Sequence, residues 1–202
     1  MSGSDREPLK AAILVGGVSR RLGRDKALVT VGGLPIVERV RRSLLTVTER
    51  IFVVGKDGER NPLPDLPFVT EDHPVRCALA GLVLALETAG AERILVVGCD
   101  HPFLAPPLLA LLAAPGRAAV RLSGGPDRLE PLLGCWNSPV ALPVLKQRLE
   151  EGSLSLAGAI AALESELIPP QEVTAVDRDL LSFLNVNTPE DLIRAESVLK
   201  NY

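Results

Sequence analysis

A chain of 202 residues, 47% of them apolar, can bury about 70% of its unfolded surface, which excludes disorder as its class. A formal net charge of −3 and 3% aromatic residues exclude a nucleic-acid module, which needs a basic surplus or exposed rings for base stacking. Three widely spaced cysteines, Cys77, Cys99 and Cys135, form no C-x-x-C pair, which argues against a zinc site or disulfide framework and for reduced thiols.

The polar start MSGSDREP lacks the apolar run of a signal peptide, and no stretch approaches the roughly 20 apolar residues of a membrane span. The expectation is a cytoplasmic protein with a disordered tail over 1–8 and a single domain over 9–202. AAILVG (11–16) reads as a buried strand. It breaks into LVGGVSRRLGRDKA (14–27), where Arg20, Arg21, Arg24 and Lys26 gather in an otherwise acidic chain. Two readings of this loop stand side by side. Gly16 and Gly17 let backbone N–H groups close on a phosphate that nearby Arg and Lys neutralise, or the segment is a solvated basic turn. Its spacing fits neither G-x-x-x-x-G-K-[ST] nor G-x-G-x-x-G.

Next come a helical pattern, PIVERVRRSLLTV (35–47), a strand, RIFVVG (50–55), and a short strand, FVTE, that is followed by Asp72. LAGLVLALETA (79–89) is helical, RILVVGC (93–99) is a third continuous apolar strand, and PPLLALLAA (106–114) is again helical. Unbroken Val, Ile and Leu runs are what a parallel sheet covered on both faces requires, and the β-α-β alternation predicts an α/β fold. Asp100 directly follows the third strand. In open α/β sheets that edge receives ligands, and a carboxylate there can hold Mg²⁺; the alternative is a helix cap. Asp72 has the same two readings. His73 and His101 each adjoin one of these aspartates, yet a transition-metal site lacks a third His or Cys at ligand spacing. With two histidines and no G-x-S-x-G elbow, a hydrolase triad is disfavoured.

In the second half, AAVRLS (118–123) and LEPLLGCW (129–136) flank SGGPDR as a hairpin, with Trp136 in the core or a pocket wall. PVALPVLKQRLEE (139–151) and LSLAGAIAALESE (154–166) read as helices, and FLNVN (183–187) as a strand. TPEDLIRAESVLKNY (188–202) begins a helix with Thr188 as N-cap, Pro189 in the first helical position and Asp191 completing a capping-box-like start. On a strand Asn185 and Asn187 point to opposite faces, one free to meet a phosphate or sugar while the other pins the loop. Asn is also simply common in turns.

Together LVGGVSRRLGRDKA, TED (70–72), LAGL (79–82), CDHPFL (99–104) and NVNTPEDL (185–192) resemble the molybdenum cofactor guanylyltransferase family. The order and spacing run from about Leu9 to the C-terminus. The closing NVNTPEDL narrows the resemblance, because related cytidylyl-transferring enzymes typically carry D-x-D there. The resemblance implies a Rossmann-like three-layer α/β/α nucleotidyltransferase fold with a mostly parallel central sheet. It also implies transfer of GMP from GTP to molybdenum-bearing molybdopterin, with pyrophosphate released and Mg²⁺ required. By matched motif, Lys26, Asp100 and Arg21 would be the catalytic set. Leu14, Val15, Gly16, Gly17, Lys26, Asp72 and Asp100 would hold the nucleotide, with Asp100 ligating the metal, while Asn185 and Asn187 would lie on the pterin side. Other molybdenum cofactor biosynthesis proteins and acceptor molybdoenzymes are the implied protein partners, with no nucleic acid and no membrane.

Three positions depart from the family pattern. Its usual L-A-G-G is L-V-G-G here, so Val15 adds bulk. Cys77-Ala78 replaces the G-P before L-A-G, and Gly55 stands where the family often has a nucleotide-contacting Asn. These departures keep two alternatives in view: another nucleotidyltransferase, using CTP or a sugar phosphate, and a non-catalytic nucleotide-binding accessory protein.

Overall fold

The structure is a computed structural model that describes residues 9–16, 18–19, 24–90, 93–116, 118–125 and 129–201. The expected tail over 1–8, and Gly17 and Arg21 of the predicted site, lie outside the described residues.

The apolar runs become strands of one sheet. They are β1 (Lys10–Leu14), β2 (Ile51–Lys56), β3 (Phe68–Glu71), β4 (Arg93–Gly98), β5 (Val120–Gly124), β6 (Leu129–Asn137) and β7 (Ser165–Leu167). Their order across the seven-stranded sheet is β7-β5-β6-β4-β1-β2-β3. β1 pairs in parallel with β2 and β4, placing Leu14 beside Val54 on one side and Gly98 on the other. β6 runs antiparallel to both neighbours, which is the predicted hairpin with β5. The C-terminal ends of β4, β1, β2 and β3 therefore fall along one edge of the sheet.

Each strand divides its side chains between two helical layers because successive residues point to opposite faces. Ala11 and Ile13 pack with α1 (Ile36–Leu44), α3 (Pro106–Ala113), α6 (Pro170–Val176) and α7 (Pro189–Asn201). Ala12 and Leu14 pack with α2 (Ala78–Ala89), α4 (Ser138–Glu150) and α5 (Leu156–Ala161). Burying a Val, Leu or Ile side chain is worth about 1.5–3 kcal/mol, so strands apolar on both faces need cover on both. The result is the expected three-layer α/β/α fold. Trp136 is fully buried in the second layer, with Val120, Leu145 and Ile160 in the same cluster. No helix among the described residues is long and apolar enough to cross a membrane.

Two predicted elements change. The helix expected over 154–166 stops at Ala161, and Ser165–Leu167 instead add β7 in parallel to β5. Ala119 N–H donates to the Glu164 carbonyl and Ile168 N–H to the Leu122 carbonyl, locking that edge. FLNVN is no strand. A 3-10 turn over Leu181–Phe183 takes its first residue, and the residues after it, 184–187, belong to no strand. The Asp177 carboxylate accepts the N–H groups of Leu181 and Ser182, and Val186 N–H donates to the Asp100 carbonyl at 2.9 Å. That bond ties the segment to the loop after β4. The final helix starts as predicted: Asp191 N–H donates to Thr188 Oγ1, and the Asp191 carboxylate accepts from Thr188 N–H.

Candidate active site

The loop after β1 folds back on itself, with Val18–Ser19 pairing antiparallel to Arg24–Asp25. Gly16 turns the chain out of the strand at φ 120°, a backbone that side-chain-bearing residues rarely adopt, and a Cβ there would meet Glu59 Oε2 at 3.0 Å. The hairpin returns the chain to a 3-10 turn over Lys26–Leu28, anchored by buried Ala27. Lys26 Nζ then lies 2.9 Å from Asp100 Oδ2, each side chain 19% exposed. Two residues nominated independently, 74 positions apart, thus form one ion pair at the sheet edge.

Several contacts fix Asp100. It follows β4, and a Cβ at Gly98 would come within 2.8 Å of Asp100 Oδ1, so glycine there leaves room for the carboxylate. His101 is 1% exposed and its Nδ1 lies 2.9 Å from the Ser182 carbonyl. A carbonyl only accepts, so Nδ1 carries the proton. Nε2 faces Asp100 Oδ1 at 3.6 Å. Burial pushes the Asp100 carboxyl upward, but the charges of His101 and Lys26 and the Lys26 hydrogen bond outweigh it. Asp100 is held below the ordinary carboxylate range. His73 turns elsewhere: its Nδ1 accepts the Val75 N–H at 3.1 Å within its own loop.

A cavity of about 210 Å³ opens beside this edge, walled by Leu14, Val15, Gly16, Gly55, Lys56 and Glu71 together with the start of α2. Leu14, Val15 and Gly16 are the residues that the sequence put against a nucleotide. Asp72 is exposed and does not line the cavity; its neighbour Glu71, 5% exposed, does. Glu71 is ion-paired with Lys56, directly opposite it in register on β2 and β3. Burial draws the Lys56 ammonium below its ordinary value, more than neighbouring Cys77 and Glu59 draw it back. Sequence reading missed this pair. Its signal was two adjacent strands, FVVGK and FVTE, each ending on a charge of opposite sign.

The departures at Val15 and Gly55 prove to be one feature. A Cβ at Gly55 would meet Phe68 Cζ at 2.6 Å and Val15 Cγ2 at 3.2 Å. The space that a side chain at 55 would occupy is already filled by Phe68 and Val15.

Two further cavities continue the edge. One of about 530 Å³ shares Leu132 with the first and includes Asp100, His101, Ile160 and Asn185 in its wall. The next, about 410 Å³, shares Glu130 and Asn185 with it and adds Asn187, Asp191 and Arg194. Asn185 and Asn187 therefore line one cavity instead of opposite faces, because their segment is not a regular strand. Asn185 Nδ2 donates to Glu130 Oε2 at 3.3 Å, while its buried Oδ1 has no hydrogen-bond partner. Asn187 N–H donates to Asp191 Oδ2, tying the motif to the start of α7.

An ion pair thus stands at the end of the parallel strands where a small cavity adjoins a larger, mainly apolar one walled in part by Asp100, with a polar one beyond it, a layout that can bring two substrates together. Residues 11–166 match the MobA-like NTP transferase domain. A molybdenum cofactor guanylyltransferase of Cereibacter sphaeroides is 36% identical over 197 residues, covering 93% of this chain and 95% of the relative. A probable molybdenum cofactor guanylyltransferase of Synechococcus elongatus is 34% identical over 194 residues, 90% and 94% of the two chains. Among solved structures, molybdopterin-guanine dinucleotide biosynthesis protein A from Archaeoglobus fulgidus superposes with a TM-score of 0.84 at 27% identity, covering 96% of this chain and all of that one. The chain belongs to the MobA-like nucleotidyltransferases, and within them to the molybdenum cofactor guanylyltransferase family. A cytidylyltransferase from Thermus thermophilus, at 18% identity and TM-score 0.71, shares the fold.

Proposed function

We propose that this protein transfers GMP from GTP to molybdenum-bearing molybdopterin, giving the guanine dinucleotide cofactor and pyrophosphate. The observation that carries this reading is the Lys26–Asp100 pair at the sheet edge, with Asp100 and Asn185 in the wall of one cavity that adjoins both the cavity walled by Leu14–Gly16 and the one walled by Asn185 and Asn187. In the reaction a phosphate oxygen of molybdopterin forms a bond to the α-phosphorus of GTP. The α–β bridging P–O bond breaks, and its electron pair leaves with pyrophosphate. The attacking group is a phosphate monoester, already largely dianionic at pH 7 because its second pKa is about 6, so no protein base is required. The obstacle is repulsion between anions and charge growing on the leaving group, which fixed cations relieve.

Lys26 supplies such a cation. A single ionised carboxylate at Asp100 fits a hard ion such as Mg²⁺, which takes its remaining ligands from substrate phosphates and water. Among the described residues no three His, Cys, Asp or Glu side chains cluster, which suits that shared mode rather than an all-protein cage. When bound, the ion neutralises charge on the triphosphate. Leu14, Val15 and Gly16 hold the nucleoside, Asn185 and Asn187 serve the pterin side, and Asp72, exposed and outside the cavity wall, is assigned to the guanosine on sequence motif alone. Gly17 and Arg21 enter this assignment on sequence alone. The product would pass to acceptor molybdoenzymes.

The test supplies each of the four nucleoside triphosphates with molybdopterin and Mg²⁺ and reads pyrophosphate. Release is expected with GTP and only when molybdopterin is present, and Asp100→Ala is expected to abolish it. Release with CTP instead would establish a cytidylyl transferase, and nucleotide binding without turnover would establish an accessory protein.

A further inference from the structure

Lys56 and Glu71 face each other across parallel strands, both line the 210 Å³ cavity, and both are largely withdrawn from water, with side chains 15% and 4% exposed. Two charges taken out of water are a poor source of stability, since well-packed apolar chains in their place do at least as well. The pair therefore calls for another account. Glu71 Oε2 is fully buried and its Oε1 accepts the His73 N–H, so the carboxylate is turned inward and grips Lys56. An ammonium has three N–H donors. One serves Glu71 and a second serves the Cys77 carbonyl at 3.3 Å. The third remains for a ligand in the cavity that Lys56 lines. Arg76 also borders the cavity, but its side chain is 67% exposed and only loosely paired with Glu59 at 3.9 Å, so its position is not fixed.

A fixed donor with no acceptor capacity discriminates between purines. The 6-oxo group of guanine or hypoxanthine accepts a hydrogen bond, whereas the 6-amino group of adenine presents N–H and is repelled. We infer that Lys56 is the specificity-determining residue that selects a 6-oxopurine over a 6-aminopurine nucleotide, oriented for that task by Glu71 and the Cys77 carbonyl. This rests on the reading of the cavity as the base site of a GTP-using transferase.

Calorimetric titration of the full chain with GTP, ITP and ATP tests it, using wild type, Lys56→Met, and the double variant Lys56→Met/Glu71→Gln. The double variant removes the unpaired buried carboxylate that the single one leaves, so a loss caused by misfolding is separated from a loss of recognition. ITP is the decisive ligand, because it keeps the 6-oxo group and lacks the 2-amino group. Wild type is expected to bind GTP and ITP about 10- to 100-fold more tightly than ATP, and both variants to lose that margin through weaker GTP and ITP binding, with ATP bound no more weakly than by wild type. Equal weakening of all three nucleotides, or a GTP preference that survives in both variants, overturns the role of Lys56 and leaves the transferase reading intact. A wild type that binds none of the three overturns both.

Discussion

A methyl group added at Gly55 tests how the cavity wall is built. Gly55 lies inside β2, and its φ is not in the left-handed region, so backbone strain plays no part in the cost of Gly55→Ala. The cost comes from contact: the new Cβ would lie 2.6 and 2.7 Å from Phe68 ring carbons and 3.2 Å from Val15 Cγ2. Overpacking of this kind costs about 1–3 kcal/mol. The lower half of that range is expected, because the Phe68 ring is only half-buried and can pivot outward. In a chain of this size each kcal/mol lowers Tm by about 2–4 °C. Urea denaturation of wild type, Gly55→Ala, Phe68→Leu and the double variant closes a cycle. Leucine lacks the ring atoms that the methyl group meets, so Gly55→Ala is expected to cost at least about 0.5 kcal/mol less in the Phe68→Leu background. An equal cost in both backgrounds, or no cost in wild type, would refute the steric account of why glycine stands here.

Two further predictions address the ion pair and the cavity. Asp100 has a folded pKa below its ordinary value, so the stability it contributes is present above the usual carboxylate range near ~3.9 and is lost as pH falls through the folded value. The stability gap between wild type and Asp100→Asn is expected to close as pH falls below about 4; an unchanged gap at acid pH would contradict the pairing. Cys77 lines the 210 Å³ cavity and is only half-buried, whereas Cys99 and Cys135 are buried and burial pushes the Cys135 thiol up. Iodoacetamide is therefore expected to label Cys77 first, and saturating GTP to slow that labelling; mass spectrometry showing no protection would remove the base site from this cavity.

The three long apolar runs and the helical patterns between them were readable because both faces of a parallel sheet are buried, so each strand declares itself without reference to its neighbours. The capping box at Thr188 and Asp191 was equally local, four residues meeting through their own hydrogen bonds. Motif order was enough to nominate Lys26 and Asp100. Their meeting at 2.9 Å depended on the hairpin after β1 and on the β1–β4 pairing, neither of which leaves a mark on residues so far apart. β7 was invisible for a related reason: three residues with no apolar alternation become a strand because the β5 edge offers unpaired backbone groups. FLNVN failed in the other direction. It has a strand's composition, yet the carbonyls of Leu180, Leu181 and Asp100 and the Asp191 carboxylate take its N–H groups and hold it outside the sheet. Lys56 and Glu71 belong wholly to the tertiary structure. Sequence supplies a strand ending in each charge, and only the parallel register of β2 with β3 turns two ordinary surface residue types into a buried pair facing a cavity.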